Sequence, residues 1–323
     1  MDEFAVEDLG LVIEPAALAA AGRSLDSCGL LLLGEMHGAR ENPLLIRALM
    51  QAFGLTSLAL EWPDDLAPMV RAFLAGEPLA DHPWLWGGDG RITAGHLAVL
   101  AERSKAGPLE VILFDGIIAA GWSWSQRDEA MALRLLAGSP SGARTLAVAG
   151  NAHTPTSRTD LGVPLGACLA RQRPGIREIR IRYGGGRFWN FGSCQFAARA
   201  SAQGPVRLYE DTGELIVDLP QATEATVPQR PQSSPPPPAV PAVYLGTEAR
   251  PGPVLFTLDV DGERFAIRRA ADGGTAYDWL SGPNKGYGFA SSGTPDRPAG
   301  EHRESIRAFL AMIDPDTGYI GDD

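Results

Sequence analysis

Short apolar runs alternate with segments of helical periodicity along the first two thirds of the chain. Five of the runs are bounded by turn residues and are typical of buried strands. They cover residues 29–35, 55–61, 109–115, 144–150 and 176–183. Because helical segments connect them, the pattern predicts an α/β domain of three layers, in which a mostly parallel sheet carries helices on both faces.

The helix after the first strand has a clear start and stop. Asn42 and Pro43 are typical of an N-cap and a first-turn proline, and apolar residues then recur at helical spacing up to Gly54. A second helix is expected over 65–76 and a third from near Thr93. We interpret these helices as structural.

A fourth helix is predicted over the segment SQRDEAMALRLLAG, residues 125–138. Ser125 and Asp128 have the spacing of a capping box, in which each side chain satisfies a backbone N–H at the start of the helix. On that interpretation neither residue needs a function.

The pattern changes at residues 220–242, where 8 of 23 positions are proline and large apolar side chains almost vanish. Such a segment is typical of a semi-rigid linker. After it, alternating strands flank Asp261 and Gly262, a strong hairpin signal, and an amphipathic helix follows near the end. The predicted organisation is therefore an α/β domain over 1–219, a linker over 220–242 and a small α+β module over 243–323.

Four of the five predicted strands end in ionisable or polar residues. These residues are Glu35 and His37, then Glu61, then Asp115, and finally Asn151 with His153. In open α/β sheets the ligand crevice lies outside the carboxyl ends of the strands, so we expect all six side chains at one edge of the sheet. The tight spacing of Glu35 and His37 directs both to one side if the backbone is still extended there.

Composition limits the class of partner. The chain has 39 Asp and Glu against 28 Lys and Arg, a formal net charge of -11, which disfavours a nucleic-acid partner because phosphate binding needs a basic surface. The acidic N-terminal segment does not resemble a secretory signal, and no apolar run of about 18 residues would span a bilayer. We therefore expect a cytoplasmic protein without a membrane partner. The three cysteines lack metal-site spacing and are interpreted as small core residues.

The remaining histidines are weaker candidates. His82 and His96 lie in or near a Trp- and Gly-rich segment, which is interpreted as a packed loop and alternatively as a lid over the crevice. His302 is expected to be exposed at the start of the last helix. No GxSxG motif supplies a nucleophilic serine.

Four motifs in order, GEMHG, LALEW, QRDEAMALRLL and TLAVAGNAHT, resemble the erythromycin esterase family and the wider group of ChaN-like haem-binding proteins and TIKI and TraB peptidase-like proteins. The resemblance covers about residues 29–185. It implies that His37 is the catalytic histidine and that Glu35, Glu61, Arg127 and His153 line the cleft. One residue, Met36, separates the acid from the histidine, as in ChaN-like proteins, whereas erythromycin esterases have two.

The first hypothesis is hydrolysis of an ester or amide in a small molecule or modified peptide, without a metal. An imidazole beside a carboxylate can deprotonate water near neutral pH, so His37 is the predicted base, oriented by Glu35 or Glu61. Arg127 or His153 then stabilises the oxyanion. The predicted substrate-binding residues are Arg40, Asp115, Asn151, Trp122 and Trp124, and the loops 77–92 and 117–125 are expected to set specificity.

Two alternatives remain open at this stage. His37, His153, Glu35 and Glu61 are a ligand set able to hold zinc, manganese or iron, which would make a metal-dependent peptidase or amidase. A binding protein for haem or another bulky apolar ligand is the other alternative, with a pocket lined by Trp84, Trp86, Trp122 and Trp124.

Overall fold

The computed structural model describes residues 8–79, 85, 89–116, 123–140, 142–190, 192–196, 204–227, 254–269, 275–284, 287–291, 295, 298–310 and 313. The described residues from 8 to 116 and from 124 to 227 form one compact unit. Those from 254 onward belong to a second unit.

The first unit is built on an eight-stranded sheet with the order β1-β9-β10-β6-β2-β5-β3-β4. Its strands are β1 (Val12–Ile13), β2 (Leu30–Glu35), β3 (Ser57–Pro63), β4 (Glu110–Asp115), β5 (Thr145–Gly150), β6 (Arg177–Tyr183), β9 (Arg207–Asp211) and β10 (Glu214–Leu219). Within this sheet β9 and β10 run antiparallel, and the other neighbouring strands are parallel. Strands β7 (Gly186–Trp189) and β8 (Ser193–Phe196) form a separate antiparallel sheet of two strands.

Helices cover both faces of the central strands, which confirms the predicted three-layer α/β architecture. They are α1 (Pro15–Cys28), α2 (Glu41–Ala52), α3 (Ala67–Leu74), α4 (Ala94–Ala106), α5 (Trp124–Gly138) and α6 (Leu165–Gln172). One apolar core joins the first four helices to the sheet, with Leu45, Val70 and Leu97 among its members. A second core on the opposite face joins α5 and α6 through residues such as Met131 and Leu169.

The five predicted strands correspond to β2, β3, β4, β5 and β6, with ends within two residues of the prediction. The apolar runs were informative because β2, β3 and β5 are buried along their whole length. Helix α1 and strands β9 and β10 were not predicted. A turn at Thr212 and Gly213, both at positive φ, joins β9 to β10 and was the available signal.

The N-cap assignment of Asn42 is wrong. Helix α2 begins at Glu41, and no side chain caps it. Asn42 is instead buried in the first turn, where its Nδ2 donates to the Met36 carbonyl at 2.7 Å and its Oδ1 accepts from the Tyr183 hydroxyl at 2.9 Å. The Asn42 amide therefore holds the segment after β2 through tertiary hydrogen bonds and does not cap its own helix.

The capping-box assignment of Ser125 and Asp128 is also wrong. Helix α5 begins at Trp124, and the Ser125 hydroxyl accepts a hydrogen bond from the Val163 N–H at 2.8 Å. Asp128 is completely buried and binds His153. By contrast, Thr93 does cap α4, because its hydroxyl accepts from the His96 N–H.

The helix predicted over 65–76 is divided in two. A 3₁₀ turn at Asp64–Leu66 leads into α3, which ends at Leu74. Neither Asp64 nor Asp65 caps an α-helix directly, since the 3₁₀ turn occupies that position.

The second unit contains an antiparallel sheet and one helix. Its elements are β11 (Val254–Val260), β12 (Glu263–Arg269), β13 (Thr275–Trp279), β14 (Gly288–Ser291) and α7 (Ala299–Leu310). Asp261 and Gly262 join β11 to β12 with φ of 51° and 90°, which confirms the predicted hairpin. The expected exposure of His302 is wrong: the residue is fully buried, and its Nδ1 lies 2.7 Å from the Tyr277 hydroxyl.

The segment after β10 continues along the first unit as far as Val227. The Thr223 carbonyl accepts from the Arg40 N–H at 2.8 Å, and the Thr226 carbonyl accepts from the Ala94 N–H at 2.9 Å. Residues 228–242 of the predicted linker lie outside the described residues, so the domain boundaries stay predictions. In the part of the chain that the structure describes, no helix has both the length and the apolar character needed to cross a membrane.

Candidate active site

The carboxyl ends of β2, β3 and β5 bring the predicted site residues together. Glu35 ends β2, Glu61 lies near the end of β3, and His153 follows β5 by three residues. The His37 Nε2 lies 3.8 Å from one oxygen of Glu61, and the His153 Nε2 lies 3.6 Å from the other. Both imidazoles therefore flank a single carboxylate.

Glu61 is held as a buried anion. Its Oε2 accepts from the Gly150 N–H at 2.7 Å, and its Oε1 lies 3.2 Å from Arg127 and 3.4 Å from Arg91. Burial favours the protonated form, but the neighbouring cations and histidines outweigh it and hold the pKa of Glu61 well below its usual range. The pairing between β3 and β4 is irregular between Leu60 and Pro63, which is where Glu61 lies.

His37 is oriented by Glu35, because its Nδ1 lies 3.1 Å from the Glu35 Oε1. If Nδ1–H donates to that carboxylate, the lone pair is on Nε2, the nitrogen that faces Glu61. Burial lowers the pKa of His37, but the Glu35 hydrogen bond and the charge on Glu61 outweigh burial, so that the pKa is raised. The His37 side chain is 17% exposed, against 7% for His153, so it is the more accessible of these two bases.

Glu35 itself is almost inaccessible. It is 2% exposed, and its Oε2 has no hydrogen-bond partner among the residues that the structure describes. The chain immediately after it is fixed by the Tyr183 hydroxyl, which accepts from the Met36 N–H at 3.0 Å. Glu35 and His37 are thus presented by a rigid end of β2.

His153 is fixed from two directions by helix α5. Its Nδ1 lies 2.8 and 3.0 Å from the two carboxylate oxygens of Asp128. Trp124 stacks on its ring, with centroids 4.3 Å apart and planes 8° from parallel. Trp124 and Asp128 are four residues apart and so share one face of the helix.

Two guanidinium groups complete the cluster. Arg127 donates to Asp115 at 2.9 Å and to Glu61 at 3.2 Å, and its Nη1 lies 3.3 Å from the His153 Nε2. Arg91 donates to the same Asp115 oxygen at 2.8 Å and forms an ion pair with Asp89 at 2.6 Å. Burial lowers the pKa of both arginines, but the surrounding carboxylates have the larger effect. The net pKa of each is therefore raised, and both remain charged.

Sequence reasoning missed Asp89, Arg91 and Asp128. The first two lie in the Trp- and Gly-rich segment, which was interpreted as a loop or lid, and the run Asp89-Gly90-Arg91 within it was the available signal. Asp128 was identified from the sequence but assigned to a capping box. Arg91 and Asp128 bind residues that are distant in the chain, and Asp89 lies in an irregular segment. No local pattern therefore marked these three residues.

Gly150 lies where the side chains of His37 and His153 approach Glu61. A Cβ at this position would lie 3.2 Å from the His37 Nε2, 3.5 Å from the Glu61 Oε2 and 3.6 Å from the His153 ring. A side chain at the end of β5 would therefore crowd the space between the two imidazoles and Glu61, most closely at the His37 Nε2.

The predicted substrate-binding residues differ in whether their side chains belong to this cluster. Asp115 binds Arg91 and Arg127, and Trp124 packs on His153. Asn151 is exposed, and its N–H donates to the Glu35 carbonyl at 2.8 Å. Arg40 directly precedes α2, and its N–H donates to the Thr223 carbonyl.

Several candidates lie outside the described residues. They are Trp122, Trp84, Trp86 and His82. His96 is described and is buried, with its Nδ1 2.8 Å from the Thr93 hydroxyl, and burial lowers its pKa. His96 is thus part of the first turn of α4.

The four proposed metal ligands do not match a metal site in this arrangement. Among the described residues, no three His, Cys, Asp or Glu side chains are placed to hold one metal ion. The guanidinium of Arg127 lies between two of the proposed ligands, Glu61 and His153, and contacts both. A cation at that position would be repelled by the arginine.

No protein family model and no curated protein matches the chain. Solved structures match it distantly. A structure described as bacterial protein toxins has 20% identity and a TM-score of 0.38, covering 51% of this chain and 38% of its own. The structure of a Bacillus cereus protein has 12% identity and a TM-score of 0.41, and the match covers 64% of this chain and 91% of the Bacillus cereus chain. The type III effector HopBA1 has 14% identity and a TM-score of 0.34, covering 66% and 95%.

The present chain thus spans only a minor part of the toxin chain. None of these likenesses assigns an activity, and the resemblance to erythromycin esterases and ChaN-like proteins stays a prediction from the motifs.

Proposed function

We propose that the protein is a hydrolase that cleaves an ester or amide bond of a small molecule or modified peptide, with His37 as the general base. One observation carries this proposal. The accessible imidazole of His37 is oriented by the buried carboxylate of Glu35 and lies beside a carboxylate that two guanidinium groups hold in place. Such an arrangement is suited to removing a proton from water close to fixed positive charge.

In this mechanism water attacks the carbonyl carbon of the substrate while the His37 Nε2 takes its proton. The Nδ1–H bond to Glu35 stabilises the imidazolium that forms. The tetrahedral intermediate then expels the alcohol or amine, which receives the proton from His37. One water is consumed, and an acid and an alcohol or amine are released.

Arg127 is the proposed stabiliser of the oxyanion. Its Nη atoms are bound to Asp115, Glu61 and His153, and its Nε has no partner among the described residues. Because the Nε is itself buried, Arg127 would act through its positive charge, and the attraction for the carbonyl oxygen would strengthen as negative charge develops on it.

Glu61 is not the proposed nucleophile. Both of its oxygens already interact with donors, and its depressed pKa indicates a carboxylate stabilised by its surroundings. A carboxylate held in this way is a weak attacking group, which favours direct attack by water.

The test is His37→Gln and His37→Ala, assayed beside wild type against a panel of esters, lactones and peptides. Loss of a general base should lower kcat on the order of 10²-fold or more in protein that circular dichroism shows to be folded. His37→Gln is included because its amide can still donate to the buried Glu35, so that loss of activity is separated from loss of stability. Asp64→Asn is the control, since Asp64 is exposed and pairs with Arg134. Full turnover by both His37 variants on a substrate that wild type cleaves would refute the proposed role.

A second arm addresses metals and haem. Wild type dialysed against a chelator should keep its activity, and the purified protein should show no Soret absorbance. Activity that is lost on chelation and restored by zinc or manganese would favour the metal-dependent alternative.

A further inference from the structure

Both carboxylate oxygens of Asp128 form hydrogen bonds within the protein. Both lie within hydrogen-bond distance of the His153 Nδ1, and Oδ2 also accepts from the Leu165 N–H at 2.7 Å. Leu165 is the first residue of α6, so Asp128 connects α5, the segment after β5 and the start of α6. The residue is 0% exposed, so no water competes for these bonds.

This contact decides which nitrogen of His153 carries hydrogen. A carboxylate accepts hydrogen bonds only, so Nδ1 must be the protonated nitrogen. The lone pair of the uncharged ring is then on Nε2, and Trp124 stacking prevents the ring from turning away.

The Nε2 lone pair faces Arg127. The Nη1 of Arg127 lies 3.3 Å from it, while the Nη2 binds Glu61 and Asp115. His153 can accept from Arg127 in the Nδ1–H tautomer but would present an N–H to an N–H in the other one. The orientation of the guanidinium therefore depends on the tautomer that Asp128 selects.

We propose that Asp128 is a positioning residue that acts through His153 to orient the guanidinium of Arg127. His153 is then an acceptor that aims Arg127, and not the acid that protonates the leaving group. The catalytic consequence rests on the proposed function of Arg127, whereas the effect on the tautomer does not.

The first experiment measures the tautomer without any substrate. In protein with ¹⁵N-labelled histidine, His153 of wild type should show the Nδ1–H pattern. Asp128→Asn should switch it to the Nε2–H pattern, because the Asn amide can donate to Nδ1 while its oxygen still accepts from Leu165. Asp26→Asn, an exposed partner of Arg144, is the matched control and should leave the pattern unchanged. An unchanged His153 pattern in Asp128→Asn would overturn the proposal.

The second experiment measures kcat and KM on a substrate that wild type cleaves. Asp128→Asn should lower kcat on the order of 10²-fold, as expected when a residue behind a catalytic group is changed, and should leave KM nearly unchanged. His153→Gln should retain more activity than Asp128→Asn, because the Gln oxygen can replace Nε2 as acceptor. A tautomer switch without loss of kcat, or complete inactivity of His153→Gln with an intact fold, would overturn the positioning role.

The two proposals fail in different ways. If wild type cleaves nothing in the panel, the proposed function fails, and the coupling is read from Arg127 alone. Its guanidinium protons should then exchange slowly with water in wild type and faster in Asp128→Asn, because the Nη1–H would lose its acceptor when the His153 Nε2 carries hydrogen. Equal exchange in both proteins would overturn the coupling.

Discussion

At the scale of single residues, Glu35 sets both the orientation and the basicity of His37. Its hydrogen bond fixes one ring nitrogen, and its charge stabilises the imidazolium in a position where burial alone would lower the pKa. Since the pKa of His37 is raised above its unfolded value of about 6.5, protonated His37 stabilises the fold below that pH. This contribution is lost as the pH rises through the folded pKa.

Glu35→Gln should therefore lower the pKa of His37. The Gln oxygen can still accept from Nδ1–H, but the negative charge is gone while the burial remains. The acidic limb of the kcat/KM profile should move to lower pH, and the maximal rate should fall because the base is weaker. An NMR titration of His37 measures the shift directly.

Glu102→Gln is the matched control for this change. Glu102 binds Arg47 between α2 and α4, and removing its charge should leave the His37 titration in place. A Glu35→Gln profile that coincides with wild type would show that Glu35 does not set the basicity of His37.

Gly150 offers a steric test of the same site. In Gly150→Ala, the methyl group would lie 3.2 Å from the His37 Nε2, closer than ordinary contact, in the space between the two imidazoles and Glu61. We expect kcat to fall on the order of 10-fold or more, because small displacements of catalytic groups are costly. The melting temperature should change by only a few degrees, and Gly22→Ala in helix α1 serves as the glycine control, because an added methyl group there meets open space and the backbone is helical. A Gly150→Ala variant with the kcat of wild type would contradict this steric argument, because it would show that the site accommodates the methyl group.

At the scale of elements, prediction from sequence succeeded where one local signal decided the outcome. Strands β2, β3 and β5 are buried on both faces, so their apolar runs were unambiguous. The polar residues after them were predicted to converge because parallel strands end at the same edge. Glu35, His37, Glu61, Asp115 and His153 are therefore the part of the cluster that could be predicted from the sequence.

The rest of the site depends on tertiary contacts. Asp128 matches a capping pattern locally, and only its contact with His153, 25 residues away, reveals the other role. Arg91 lies just before α4 and pairs with Asp115 at the end of β4. Local periodicity carries no information about such pairs, because it reports the exposure of a position and not its partner.

The turn between β9 and β10 gives a prediction at this scale. Thr212 has a φ of 47°, a conformation that a β-branched side chain adopts at a cost, and Gly213 follows at 85°. Thr212→Asn should stabilise the protein by about 0.5–1 kcal/mol, because Asn-Gly is favoured in this turn. Gly213→Ala should destabilise it by about 1 kcal/mol, although no atom lies near the added methyl group. Urea unfolding measures both, and the same sign for both changes would refute the argument.

At the scale of the whole molecule, the described site belongs to the first unit alone. Its side chains come from residues between Glu35 and His153, and the chain contributes hydrogen bonds to that unit as far as Thr226. The second unit has its own apolar core around Phe265, Trp279 and Phe309. Each unit therefore has an apolar core of its own.

Limited proteolysis with a protease of broad specificity should consequently cut first between residues 228 and 242. The Pro-rich sequence there has little apolar content to bury, whereas the preceding residues from 220 pair with the first unit. Mass spectrometry should show an N-terminal fragment ending within that range. If the proposed hydrolase activity is present in the intact chain, this fragment should retain it, since every described site residue lies within it. First cleavage inside 8–79 or 142–190, with 228–242 resisting, would contradict the predicted division of the chain.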